Sequence, residues 1–335
     1  MDQRLSVPDM EKPWRNRLVA ASAASLLSLS LSLQACSADT RSVEPEGLEP
    51  VVEAEQTPDD TETPQESREQ EHSGEFSAEP SWFQDFRQTP DGPIDESVWT
   101  YELNPEVPGY NEEAQAYTNQ PKNVRIENGK LIIQAHRESY TYPNDQQNRS
   151  YGITSGRIDT RNSLNFEFGK FEVTAKLPED SGTWPAVWFL SANQPFTDKY
   201  NPTDEMWSQD KFYLHDGEID LAEAYGDQPG KVEGTLHTFD RVYESMYTLP
   251  DNKFHVYSIE ITPDKVVWAI DGSPYQVVKK PSNNPDKWPI GKGNKWYAIT
   301  NLAMGSAGGE PDSGVDVWTM QVKKIEFFEY TARKK

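Results

Sequence analysis

From residue 81 onward, apolar and polar positions alternate in short runs broken by Gly, Pro, Asn and Asp, the two-residue period of strands with one buried face. Lys130 to His136, Phe166 to Leu177, Trp184 to Ser191, Phe254 to Thr262, Lys265 to Ile270 and Gln321 to Tyr330 show it most clearly. No stretch sustains a helical period. Asn128-Gly129 and Asp271-Gly272 sit between such runs, where tight hairpin turns accept residues with positive φ. The pattern predicts an all-β domain over 81–335, of a size that sandwiches commonly fill as one unit.

The first 80 residues read differently. Of 38 aromatic residues only Trp14 and Phe76 precede residue 81. Residues 37–80 carry 14 acids and 2 bases, so about half of the net charge of −23 sits in a Glu-, Pro-, Thr- and Ser-rich tract. Such a tract has too little apolar surface to offset its ordering entropy and is expected to be a disordered, extended linker. Upstream, Lys12, Arg15 and Arg17 precede a run from Leu18 to Leu33 made only of Leu, Val, Ala and Ser, the layout of a secretory signal. At 16 residues it is short for a membrane span. Cys36, the one cysteine, has no partner within the chain for a disulfide.

The charge excludes a nucleic-acid binder, which needs a basic surface. There is no phosphate-binding glycine loop, no Cys/His cluster with metal spacing and no Gly-x-Ser-x-Gly elbow. The informative segment is Glu218-Ile219-Asp220-Leu221-Ala222-Glu223. In a regular strand Glu218 and Asp220 share a face while Glu223 points the other way. One extra residue, a bulge near Leu221 or Ala222, returns Glu223 to their face. Clustered carboxylates repel, which keeps a proton on at least one of them at neutral pH. A retaining glycosidase needs such a pair. By spacing alone, a solvated acidic strand or a calcium site is an equal reading.

The segment resembles the Glu-x-Asp-x-x-Glu signature of glycoside hydrolase family 16 in its bulged, laminarinase form. Asn123 to Leu131, Thr154 to Ile158, Phe168 to Glu172, Gly182 to Trp188, Phe254 to Glu260 and Asn301 to Gly305 resemble that family's blocks, in family order. The resemblance implies a jelly-roll β-sandwich of two curved antiparallel sheets with a concave sugar cleft, no cofactor, and hydrolysis of β-1,3-glucan by double displacement. It implies Glu218 as nucleophile, Glu223 as acid and base, and Asp220 between them. It further implies that Trp184, Trp188, Arg157, His237 and Asn111 hold the polysaccharide, with Glu113 structural. Where many laminarinases continue with a glycine and a cleft tryptophan, this chain reads Ser306-Ala307-Gly308-Gly309-Glu310. Lys323 stands where the family places a calcium-binding aspartate, so no metal is expected. Glu223-Ala224-Tyr225-Gly226 also resembles the agarase and porphyranase branches, which leaves a galactan hydrolase as the alternative enzyme. A non-catalytic glucan-binding module is the alternative outside catalysis, and the presence of all three acids disfavours it.

Leu33-Gln34-Ala35-Cys36 resembles the lipobox of bacterial lipoproteins, in which the cysteine is acylated and becomes the mature N-terminus. Residues 1–36 are therefore expected to be a lipoprotein signal peptide. The chain is expected to be exported and lipid-anchored at Cys36, on the outer membrane or cell surface, as a monomer that meets the membrane only through its lipid.

Overall fold

The computed structural model describes residues 74–103, 110–143, 149–192, 217–238, 241–283, 285–291 and 293–333. The chain divides into two units, Met1–Glu66 and Ser67–Lys335, and the described residues all belong to the second. Cys36, its signal and most of the acidic linker lie outside the described residues. Among the described residues no helix is long and apolar enough to cross a membrane.

In chain order the strands are β1 (Gly74–Phe76), β2 (Trp82–Asp85), β3 (Thr100–Tyr101), β4 (Gln115–Tyr117), β5 (Val124–Glu127) and β6 (Lys130–Thr141). Next come β7 (Ser150–Ser155), β8 (Arg157–Asp159), β9 (Gly169–Lys176), β10 (Thr183–Ser191), β11 (Glu218–Glu223) and β12 (Lys231–His237). The last six are β13 (Val242–Thr248), β14 (His255–Ile261), β15 (Lys265–Ile270), β16 (Ser273–Lys279), β17 (Trp296–Met304) and β18 (Val317–Ala332). They form two sheets. One has eleven strands, with the path β16-β15-β14-β9-β18-β6-β7-β4 and β1, β2 and β5 added at its sides; the other has seven, in the order β13-β12-β11-β10-β17-β8-β3. Among the described residues every pairing is antiparallel except β4 with β7.

Strand β9 shows why these residues form strands. Gly169, Phe171, Val173 and Ala175 are buried and the residues between them are half-exposed, the alternation a one-sided sheet requires. The buried faces of the two sheets meet in one apolar core. Phe189 of the seven-stranded sheet stands edge-on to Phe171 of the other at 5.1 Å between ring centroids, and Phe166 bridges Phe189 and Phe327 at 5.6 and 4.6 Å. Edge-to-face contacts at such spacings add to the area these rings bury. Both expected hairpins form: Asn128 and Gly129 have φ of 51° and 71°, Asp271 and Gly272 of 50° and 76°.

One boundary is corrected. Residues 74–76 fall in the tract expected to be disordered, yet β1 pairs with the end of β18, Phe76 opposite Tyr330 with ring centroids 5.6 Å apart. Phe76, the tract's one aromatic, supplies the apolar contact its acidic neighbours lack. The folded unit therefore reaches back at least to Gly74.

Candidate active site

The seven-stranded sheet turns one face to the core and the other outward. On β10, Val187 and Phe189 join the core, and Trp184 and Trp188 stand half-buried on the outer face. The central question is whether β11 brings its three acids to that same face. Against β10, Val187 pairs with Ala222 and Trp188 with Asp220, so Leu221 is extra. Against β12, Asp220 pairs with Thr235 and Glu223 with Glu233, so three steps on β11 meet two on β12. This is the expected bulge. Leu221 and Ala222 are both buried in the core cluster, and Glu218 and Glu223, at the two ends of the strand, are mostly buried but reach the surface.

The large sheet backs the bulge directly. Trp268 of β15 donates its indole N–H to the carbonyl of Asp220 at 2.8 Å, a buried bond that crosses between the sheets. Gly234, opposite the bulge, makes room for it. A Cβ there would lie 2.6 Å from Trp268 Cδ1 and 2.5 Å from the Tyr275 hydroxyl.

Around the acids the contacts are specific. His237 Nε2 lies 3.1 Å from Asp220 Oδ2 and 3.8 Å from Glu218 Oε1. Trp184 donates its indole N–H to Glu223 Oε1 at 2.8 Å. The Tyr225 hydroxyl lies 2.8 Å from Glu233 Oε2 and 3.3 Å from Glu223 Oε2. Burial is the main reason that Glu218, Asp220 and Glu223 are all pushed up, each to about 8. Their mutual repulsion adds to it for Glu218 and Glu223, and His237 opposes it for both. Protons in such a cluster belong to the group as a whole, and burial and mutual repulsion disfavour ionisation of all three together. Glu218, Asp220 and His237 also offer ligand atoms within 4.8 Å of one another, the one set among the described residues that could hold a metal ion. The Lys323 ammonium lies 3.8 Å from the Phe254 ring centroid.

The other expected sugar-binding residues fare unevenly. Trp188 faces outward with its indole N–H donated to Asn301 Oδ1 at 2.8 Å. Arg157, expected to bond sugar hydroxyls, is anchored from behind. Its Nε donates to Glu102 Oε2 at 2.8 Å, both side chains are about nine-tenths buried, and the guanidinium carbon lies 4.8 Å from the Trp188 ring centroid. It braces the tryptophan from a buried ion pair. Asn111 has φ of 54° in a short turn, Tyr110–Glu112, and the next residue, Glu113, bridges to Gly305 just beyond β17. Glu113 accepts from Gln115 at 2.6 Å and Tyr117 at 3.2 Å. Where a further cleft tryptophan was absent from the sequence, Ser306–Gly308 forms a tight turn whose Gly308 carbonyl accepts from the Gly182 N–H at 2.9 Å.

Three residues escaped the sequence reading. Asn301 sits 5% exposed, holding Trp188 through its oxygen and donating to the Tyr117 hydroxyl at 3.1 Å. Tyr225 and Glu233 flank Glu223. The two-residue period of β12 put Glu233 on the face of Thr235 and His237, and that signal could have found it.

Residues 111–306 match the model of glycosyl hydrolases family 16. The chain belongs to that family. It is 33% identical over 263 residues to a glucan endo-1,3-beta-glucosidase of Niallia circulans, an alignment covering 70% of this chain and 36% of that enzyme. Over 238 residues it is 33% identical to a beta-glucanase of Rhodothermus marinus, covering 66% of this chain and 74% of the relative. The catalytic domain of an endo-1,3-beta-glucanase from Thermotoga petrophila superposes with a TM-score of 0.63 at 28% identity, covering 77% of this chain and 99% of that domain. The chain is thus a glycoside hydrolase with the jelly-roll sandwich of the family 16 structures.

Proposed function

We propose that this family 16 domain is an endo-acting, retaining β-1,3-glucanase, held outside the cell by a lipid on Cys36. The observation that carries the catalytic reading is the bulge in β11, which sets Glu218, Asp220 and Glu223 on one face beside two half-buried tryptophans. Glu218 attacks the anomeric carbon while Glu223 gives its proton to the departing glycosidic oxygen, and a covalent glycosyl-enzyme forms. Glu223, now ionised, takes a proton from water, and that water releases the sugar from Glu218. His237 favours the ionised form of Glu218, and burial and neighbouring acids keep a proton available for Glu223. Trp184 fixes one oxygen of Glu223 and leaves the other for proton transfer. The indole faces of Trp184 and Trp188 suit the apolar faces of pyranose rings.

Substrate preference rests on the relatives, of which the Niallia enzyme is named for β-1,3-glucan. The purified domain is expected to release reducing ends from laminarin faster than from lichenan, agarose or porphyran, with the β-anomer appearing first by proton NMR. Glu218→Gln is expected to abolish that release. Wild-type rates in Glu218→Gln protein, or an α-anomer first product, would overturn the mechanism; preference for a galactan would overturn the substrate. Palmitate labelling of the full chain, lost in Cys36→Ser, tests the anchor.

A further inference from the structure

One hydroxyl in the site faces two carboxylates. Tyr225 follows the end of β11, and its oxygen lies 2.8 Å from Glu233 Oε2 and 3.3 Å from Glu223 Oε2. A phenol carries one hydrogen, so it cannot donate to both. The shorter contact takes it. A lone pair of the Tyr225 oxygen then faces Glu223 Oε2, and the partner that suits a lone pair is a carboxyl O–H. Trp184 already donates to the other oxygen, Oε1. Glu223 is therefore surrounded as a neutral acid would be, with one oxygen accepting and the other donating.

The register fixes this arrangement. Glu233 is the direct cross-strand partner of Glu223, and the bulge puts both on the outer face. Tyr225 is held from behind by the continuing ladder, since Ala224 donates to the Pro185 carbonyl at 3.1 Å and Gly226 to that of Thr183 at 2.8 Å. Its ring lies 6.1 Å from that of Trp184. A carboxylate paired directly across from another is unfavourable unless a proton or a donor separates them. Here a hydroxyl does so.

We propose that Tyr225 and Glu233 are a positioning pair behind Glu223, which present its second carboxyl oxygen as the proton donor to the leaving group. The inference rests on the assignment of Glu223 as acid and base. In the first step the proton on Glu223 Oε2 passes to the glycosidic oxygen as the C1–O bond breaks and the C1–Glu218 bond forms. Tyr225 keeps its own proton throughout, as burial and three nearby acids push its ionisation far up. The 3.3 Å contact is long enough for an incoming glycosidic oxygen to displace it.

The groups that bear on Glu223 come from every neighbouring element: Asp220 and Glu218 on its own strand, Glu233 and His237 on β12, Tyr225 beyond the strand end, and Glu244 of β13 through Glu233. Of these, Glu233 is the anion that removal can test without touching the carboxyl groups on β11.

The test compares kcat/KM on laminarin with kcat/KM on a 2,4-dinitrophenyl β-laminaribioside, whose leaving group needs no proton. Glu233→Gln and Tyr225→Phe are each expected to lose at least about tenfold more on laminarin than on the aryl glycoside, a part of the usual general-acid contribution. In Glu233→Gln the alkaline limb of the laminarin profile is expected to move down by about one pH unit, because a like charge beside the acid is gone. Glu233→Asp, which keeps the charge, is expected to hold the limb near its wild-type position. Equal losses on both substrates, or an unmoved limb in Glu233→Gln, overturn the positioning pair. Inactive wild type, or active Glu218→Gln, overturns the catalytic assignment instead, and the pair falls with it. Thermal melts of each variant identify a folding defect, and Tyr225→Phe, which removes one atom, keeps the test decisive if Glu233→Gln folds poorly.

Discussion

Deleting Leu221 isolates what the bulge in the catalytic strand does. On the β10 side, Trp188 pairs with Asp220 and Val187 with Ala222, so removing Leu221 leaves one residue opposite one. On the β12 side, one residue then remains between Asp220 and Glu223, facing the single Gly234 between Thr235 and Glu233. Both ladders become regular. Glu223, now four positions after Glu218, stays on the outer face by the two-residue period. The lost group is a leucine side chain 2% exposed in the core. Its removal resembles a buried Leu→Ala change, about 2 to 5 kcal/mol. For a domain of this size, at about 2 to 4 °C per kcal/mol, the melting temperature should fall by roughly 4 to 20 °C.

Activity should survive. A displacement of the acid by about 1 Å costs on the order of 100-fold, so kcat/KM on laminarin at 25 °C is expected to stay within about that factor. Deleting Ile219 is the contrasting variant. It sets Glu218 directly beside Asp220, on opposite faces, and is expected to lose all measurable hydrolysis. Calorimetry with a reducing-end assay reads both. If the Leu221 deletion melts cooperatively but is as inactive as the Ile219 deletion, then the bulge itself shapes the site, and the two-sided register argument fails.

Three further outcomes follow from the same contacts. Glu218, Asp220 and Glu223 bind protons more tightly folded than unfolded, so the fold loses stability as pH rises from the ordinary carboxyl range towards about 8; Glu218→Gln should melt at least about 3 °C above wild type at pH 8, and the gap should close near pH 4. For His255, burial lowers its proton affinity, but the bond to Asp271 at 2.7 Å and the Asp251 carbonyl outweigh it, so its ionisation is raised. Its contribution is full below the unfolded pKa of about 6.5 and lost as pH rises through the folded one, so His255→Gln should lower the melting temperature more at pH 5.5 than at pH 9; an equal drop at both would refute it. Asn301→Ala leaves the Trp188 indole N–H without its acceptor, and isothermal titration with laminari-oligosaccharides on the Glu218→Gln background should show affinity down by about fivefold or more, about 1 kcal/mol.

Much of the sandwich was legible because half-buried strands write their period into the chain. Strand β9 alternates without a break, and both Asn-Gly and Asp-Gly turns fall where the left-handed backbone needs them. The acids of β11 were legible only as a conditional. Alternation sent Glu223 to the wrong face, and a bulge is a property of two strands that the sequence of one does not contain. The ion pair of Arg157 was illegible for the same reason, since its partner, Glu102, is 55 residues away. β1 was missed because charge dominates its surroundings, and Phe76 finds Tyr330 from the far end of the chain.

The site is organised by rows that cross the strands, and this is why short motifs described it incompletely. One row runs Leu190, Glu218, His237; the next Trp188, Asp220, Thr235; the next Ala186, Glu223, Glu233. Each row draws on three strands, so a one-strand motif captures a single member of each. The first row gives Glu218 its histidine. The second gives Asp220 a small hydroxyl residue on one side and Trp188 on the other. The third places Ala186, with almost no side chain, beside Glu223, which leaves Trp184 free to reach the acid from two residues earlier along β10. It also sets Glu233 on the remaining side, where its charge and the Tyr225 hydroxyl bear on the proton of Glu223. The two carboxylates assigned opposite duties in one reaction thus differ in the rows they belong to, since the direct β12 partner of Glu218 is His237 and that of Glu223 is Glu233.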